Sequence, residues 1–142
     1  MDISTKINKK LKAQINEVAV VFQTLRIPFL IVGATARDLF FYYAYEMPVK
    51  RATKDVDFAI QVPSWEAFNA ATSGLIDIGF EVTNQAHRLS KDDIYPIDVV
   101  PFGEITENNN LDWPPNYDFR MNVLGFQEAL DDAIEFTLCL ES

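Results

Sequence analysis

The sequence predicts an α/β (α+β) domain, a mixed twisted sheet flanked by helices, occupying residues 1–142 as a single unit. Three observations predict it. Helical and strand-like segments alternate in the first half and give way to several short strands in the second, the order of a mixed sheet with helices on its faces. The apolar runs are short and bounded by Gly or Pro. At 142 residues and 49% hydrophobic content the chain has the size of one domain and enough apolar material for one core.

The elements follow in order. Ile7, Leu11, Ile15, Val18, Ala19, Phe22 and Leu25 recur at spacings of three and four, which predicts an amphipathic helix with its lysines on the solvated side, ended by Pro28. Phe29–Val32 is a fully apolar run closed by Gly33, the pattern of a buried strand. Ala34–Tyr45 has no breaker and is rich in aromatics, so a buried helix is expected; Met47-Pro48 and the basic stretch Lys50–Lys54 form a loop. Residues 55–60 alternate at their start as a strand with one covered face does. Pro63-Ser64 opens a third helix, with Ser64 as N-cap, Glu66 in the first turn and Gly79 at its end. Phe80–Thr83 and His87–Ser90 read as two short strands about Asn84-Gln85, and Tyr95–Phe102 as a third. Residues 103–122 are rich in Asn, Pro and acid and predict a long loop; Phe126–Asp132 predicts a short helix and Ile134–Leu140 a final strand.

Charge narrows the function. The net charge is -9, from 12 basic and 21 acidic residues, which argues against binding nucleic acid by bulk electrostatics. The balance is uneven: residues 1–60 carry +3 and residues 61–142 carry -12. The single cysteine, Cys139, allows no internal disulfide, and no Zn-type Cys/His spacing exists. No signal-peptide pattern and no apolar run of about 20 residues is visible, so a cytoplasmic protein without a membrane partner is expected.

Three carboxylates stand out by position. Asp55 and Asp57 are two apart in a strand, so their side chains share a face. Asp98 interrupts the apolar run Ile97-Asp-Val-Val100, where a carboxylate is costly to bury without a partner. Acids gathered on one face repel, and a divalent cation with oxygen ligands removes that repulsion. Gly33-Ala34 follows an apolar strand and opens a predicted helix, a junction where a phosphate can approach the backbone. No Gly-Lys-Ser/Thr follows, so it is no P-loop.

Val32-Gly-Ala-Thr-Ala-Arg-Asp-Leu39, Thr53-Lys-Asp-Val-Asp-Phe58 and Pro96-Ile-Asp-Val-Val100 together resemble the nucleotidyltransferase superfamily of DNA polymerase beta. The nearest branch is that of the predicted bacterial nucleotidyltransferases that include AbiEii/AbiGii-type toxins, and Leu124–Leu130 is similar to the segment that follows the core there. The resemblance covers about residues 15–140 and implies the nucleotidyltransferase fold and Mg²⁺-dependent transfer of an NMP from an NTP to a hydroxyl acceptor on RNA, tRNA, protein or a small molecule. It implies that Asp55, Asp57 and Asp98 are catalytic and bind two Mg²⁺ (or Mn²⁺) ions. Gly33, Ala34 and Thr35 would cradle the β- and γ-phosphates, and Arg37, Lys54 and Arg88 would neutralise phosphate charge. A cognate antitoxin or toxin partner would follow from the same branch.

The pattern has departures. Ala34 stands where the family has Ser or Gly, leaving the hydroxyl contact to Thr35, and the helical module that usually follows the core is not among these residues. They motivate an alternative, a non-enzymatic nucleotide-binding or antitoxin-like relative with the same fold. Gly33–Asp38 followed by Asp55-Val-Asp57 also resembles CCA-adding tRNA nucleotidyltransferases, ranked lower because the acidic second half suits a tRNA groove poorly. Of the remaining conspicuous residues, the sole histidine, His87, is expected on the surface or in a hairpin rather than as a phosphate-orienting group or base. The run Phe40–Tyr43 is expected in the core, and Trp113 is either a loop anchor or a nucleotide cover.

Overall fold

A computed structural model describes residues 9–33, 55–114, 119–123 and 125–131. Its elements are α1 (Lys9–Thr24), β1 (Phe29–Val32), β2 (Val56–Gln61), α2 (Trp65–Asp77), β3 (Glu81–Val82), β4 (Arg88–Ser90), β5 (Ile97–Phe102), β6 (Asn110–Trp113), β7 (Phe119–Asn122) and α3 (Phe126–Asp131). The fold is mixed α/β. Five strands form one sheet in the order β1-β2-β5-β4-β3, and β6 and β7 form a separate two-stranded sheet. The central pair β2–β5 is parallel; β1–β2, β5–β4 and β4–β3 are antiparallel. The helix expected over Ala34–Tyr45 and the strand expected over Ile134–Leu140 lie outside the described residues.

The alternation of β2 and β5 divides the sheet into two faces. Val56, Phe58, Ile60, Ile97 and Val99 point to one side and join Leu11, Ile15, Val18 and Phe22 of α1 and Phe68, Ala71 and Leu75 of α2 in the main core. Phe22, Phe29 and Phe58 meet as tilted and edge-on rings 5.4–6.3 Å apart, a favourable arrangement for ring quadrupoles. On the other face Ala59, Val100 and Phe102 pack with Leu30, Val32 and Val123. The first residues of β2 and β5 on that second face are Asp57 and Asp98, so the polar site begins where the second apolar cluster stops.

Local signals explain the helix ends. Ser64 is extended (φ -159°) and its hydroxyl accepts the Ala67 amide at 3.1 Å, capping α2 as expected. Ser64→Ala should therefore cost about 1 kcal/mol, read as a lower midpoint in urea unfolding. At the far end the Phe80 amide donates to Leu75 O, and Lys91 Nζ donates to Ile78 O at 2.7 Å, where a cation meets the carbonyl end of the helix. Helix α1 stops at Thr24, four residues before Pro28. Arg26 turns left-handed (φ 58°) and the Ile27 amide reaches back to Phe22 O, closing the last carbonyls ahead of the proline.

Two expectations are corrected. Residues 103–122 are not one long loop. Glu107 and Asn110 exchange both backbone hydrogen bonds across Asn108 and Asn109, which take left-handed φ values of 52° and 62°. Such a turn suits asparagine and matches strand twist. It leads into β6, where Leu111 and Trp113 are buried and alternate with half-buried Asn110 and Asp112. The polar residues suggested a loop, but they form one side of a period-2 strand. Trp113 is accordingly an anchor, with Trp65, Phe68 and His87 packed about it as tilted and edge-on rings at 5.1–6.0 Å. The second correction concerns α1: Lys12 is 2% exposed and Gln14 1%, so its polar residues do not all form a solvated face. Gln14 is used as a clamp, since its side-chain amide donates to Tyr95 O and accepts the Tyr95 amide, tying α1 to the segment before β5.

Candidate functional site

Sheet register assembles the site. Val32 of β1 pairs with Asp57 of β2, Asp57 with Asp98 of β5, and Asp98 with Arg88 of β4. One cross-strand row therefore carries an apolar residue, two carboxylates and a guanidinium on the same face. Asp55, two residues before Asp57, joins from the end of β2. Oxygens of Asp55, Asp57 and Asp98 all lie within 4.8 Å of one another. The convergence demanded by a metal site is thus present, and Asp98 faces its two partners.

Gly33 completes the row at the end of β1. Its φ is +71°, a region that L side chains avoid, and a Cβ placed there would overlap Asp57 Oδ2 and stand 3.3 Å from Asp57 Cγ. Only hydrogen fits at that point, so the backbone of Gly33 abuts the carboxylate directly. Ala34, Thr35, Arg37 and Lys54, also expected at the site, lie outside the described residues.

Arg88 sits among the acids. Its Nε donates to Asp98 Oδ1 at 2.8 Å, and one terminal nitrogen donates to both Asp98 Oδ2 at 3.0 Å and Asp55 Oδ2 at 2.9 Å. Such forked, charge-assisted bonds are strong and directional. The resemblance implies that Arg88 meets phosphates; in this state its guanidinium is committed to carboxylates instead. The pairing depends on the antiparallel register of β4 and β5, which no local sequence signal specifies. His87 directly precedes β4, with Nε2 4.0 Å from Asp98 Oδ1 and its ring against Trp113.

These contacts divide the acids electrostatically. Burial, a hydrogen bond shared with Asp98, and the charges of Asp55 and Asp98 push Asp57 up to about 6, with Arg88 opposing. Burial also works to raise Asp98, but hydrogen bonds from Arg88 and Asp57 and the adjacent Arg88 charge outweigh it and hold Asp98 below the usual carboxylate range. Arg88 is in turn raised above its ordinary value, chiefly by its bond to Asp98. Around neutrality the cluster has more carboxylate than its guanidinium satisfies, the condition in which an added cation is bound.

The pH dependence follows with opposite signs. Asp57 binds its proton more tightly folded (about 6) than unfolded (3.8), so the metal-free protein loses stability as pH rises through about 6. Asp98, depressed in the fold, contributes stability that is lost only as pH falls through its folded value. Thermal melts of metal-free protein should therefore drop by a few degrees between about pH 5 and pH 7.5. Millimolar Mg²⁺ should reverse the drop, because a cation favours ionised Asp57. An unchanged melting temperature across that window would contradict the coupling.

No helix among the described residues is long and apolar enough to cross a membrane. Comparison with known protein families, with curated proteins and with solved structures finds no match to this chain.

Proposed function

We propose that this chain is the catalytic core of a Mg²⁺-dependent nucleotidyltransferase of the polymerase-beta-like superfamily. It would move an NMP from an NTP to a hydroxyl acceptor in the cytoplasm, within a toxin–antitoxin or phage-defence pair. The observation that carries this is the meeting of Asp55, Asp57 and Asp98 within 4.8 Å, with Asp57 and Asp98 on two adjacent parallel strands and Asp55 just before the first, beside a glycine that follows β1. The donor set fits the ion: three carboxylates offer hard oxygen ligands while leaving room for water and phosphate, as Mg²⁺ prefers. Asp55 and Asp57 would hold two Mg²⁺ ions with Asp98 completing the site, and the ions would supply charge neutralisation for the triphosphate.

The chain's own groups supply the rest. Gly33 presents bare backbone to an incoming phosphate. Asp98, kept ionised, accepts the proton of the acceptor hydroxyl. The acceptor oxygen then bonds to the α-phosphorus, the bond from that phosphorus to the bridging oxygen breaks, and pyrophosphate leaves. Such transfer rests on positioning and electrostatics rather than on a covalent enzyme intermediate.

The test is incubation of the protein with each α-labelled NTP, Mg²⁺ and bulk tRNA or candidate partner protein. Label should appear in one acceptor class and vanish with EDTA. No transfer from any NTP to any acceptor would overturn the assignment. The grip of Arg88 on two of the three acids favours one competitor, a relative that binds nucleotide without turnover; Mg²⁺-dependent NTP binding with no pyrophosphate release would identify it.

A further inference from the structure

We propose that Arg88 is a displaceable counter-ion: its guanidinium takes the place of a cation in the metal-free site, and a divalent ion must evict it to bind. This rests on the metal-site assignment above and adds to it a gate residing in the chain itself.

Both oxygens of Asp98 accept from Arg88, one from Nε and one from a terminal nitrogen, and that same nitrogen also holds Asp55 Oδ2. Asp55 and Asp98 are two of the three residues whose oxygens converge. The guanidinium therefore spans two of the three carboxylates that would hold a metal, at hydrogen-bond distances from both. A cation coordinated by those oxygens would stand a few ångströms from the guanidinium, and like charges that close repel. The Arg88 side chain is 31% exposed and Asp55 37%, so the guanidinium has open solvent to move into. Its backbone is fixed in β4 opposite Asp98, so displacement needs only side-chain rotation. A released guanidinium would remain next to the site with five donors unspent, suited to an anionic group arriving with the metal.

Titrating Mn²⁺ into wild-type, Arg88→Ala and Arg88→Lys proteins, with free Mn²⁺ read by EPR, tests this. Arg88→Ala should bind Mn²⁺ about tenfold tighter, the scale on which one neighbouring charge shifts a carboxylate's occupancy. Arg88→Lys, with a point charge and no fork, should fall between. Equal or weaker binding by Arg88→Ala would overturn the proposal and leave the metal site standing, with Arg88 as a residue that positions Asp98. Absence of Mn²⁺ binding in all three proteins would instead overturn the metal site and the proposal with it. Should Arg88→Ala not fold, NMR of the wild-type Arg88 Nε–H decides: Mg²⁺ should speed its solvent exchange and move its resonance. A resonance unmoved by Mg²⁺ at concentrations that shift the amides of residues 55–57 would overturn displacement.

Discussion

Replacing Asp57 by Asn is expected to stabilise the metal-free protein at neutral pH while abolishing nucleotide transfer. The two effects have one cause. Asp57 is half-buried, shares a hydrogen bond with Asp98 and faces the charges of Asp55 and Asp98, which together raise its pKa to about 6. Above that pH the fold bears an ionised group it would rather keep neutral. Asn is close in shape to the protonated acid, retains an N–H donor for Asp98 and never ionises. Because the site is partly open to water, the gain is modest, about 1 kcal/mol, or roughly 3–5 °C in melting temperature at pH 7.5. It should shrink as pH falls below about 6 and reach zero only below about pH 4, where Asp57 is protonated in the folded and the unfolded chain alike. On the proposed function the loss of activity should be far larger. Without an anionic oxygen at the centre of the row, affinity for Mg²⁺ falls and transfer should drop about a thousandfold or more, the several kcal/mol that metal ions supply to phosphoryl chemistry. Paired melts and label-transfer assays check both halves. A variant less stable than wild type at pH 7.5, or one still active, would contradict this account of the cluster.

A residue that destabilises its own fold is hard to explain as architecture. An apolar side chain in place of Asp57 would continue the alternation of the second face, where Ala59 and Val100 already pack. The chain instead carries two neighbouring acids there and offsets part of their repulsion with Arg88. Such a cluster, beside an otherwise well-packed sheet, fits the site proposed above.

How much of this was legible in the sequence differs by kind of signal. Periodicity located α1, where Val18 and Phe22 serve the core, while α2 was marked by its ends, the Ser64 cap and Gly79, and the strands carrying Phe58 and Ile97 by short alternating or apolar runs. Alternation placed Asp55 and Asp57 on a strand, the apolar run about Asp98 placed it on another, and a shared face for the first two followed from period 2 alone. Convergence with Asp98 did not follow. It depends on β2 and β5 being parallel neighbours with Asp57 opposite Asp98, a register set by long-range packing. The Arg88 contact lay further out of reach, since it needs the β4–β5 register too. The strand β6 was missed because Asn and Asp are common in loops, and only the burial of Leu111 and Trp113 shows the pattern beneath. The depth of Lys12 was missed because a lysine on an amphipathic helix is ordinarily solvated.

Gly33→Ala should break the site from its other wall. At φ +71° an alanine costs about 1–2 kcal/mol relative to glycine, because its Cβ crowds the following carbonyl. That alone would lower the melting temperature by several degrees. The larger consequence is local, since the new methyl would overlap Asp57 Oδ2 and crowd Asp57 Cγ. On its other side the carboxylate adjoins Asp98 of the neighbouring strand. Either Asp57 rotates away from the cluster or β1 shifts against β2, and in both cases the three acids cease to converge. Metal affinity should fall by about ten- to a hundredfold, the range typical when the support of a ligand is disturbed, and transfer should fall with it. The double variant Gly33→Ala/Asp57→Asn separates strain from collision. A smaller stability loss from the alanine when Asp57→Asn is also present would mean that relief of charge lets the side chain yield, whereas equal losses would assign the whole cost to the left-handed backbone. Gly33→Ala with wild-type metal affinity and unaltered stability would show that the backbone at position 33 does not press on Asp57, and would remove one wall of the site described here.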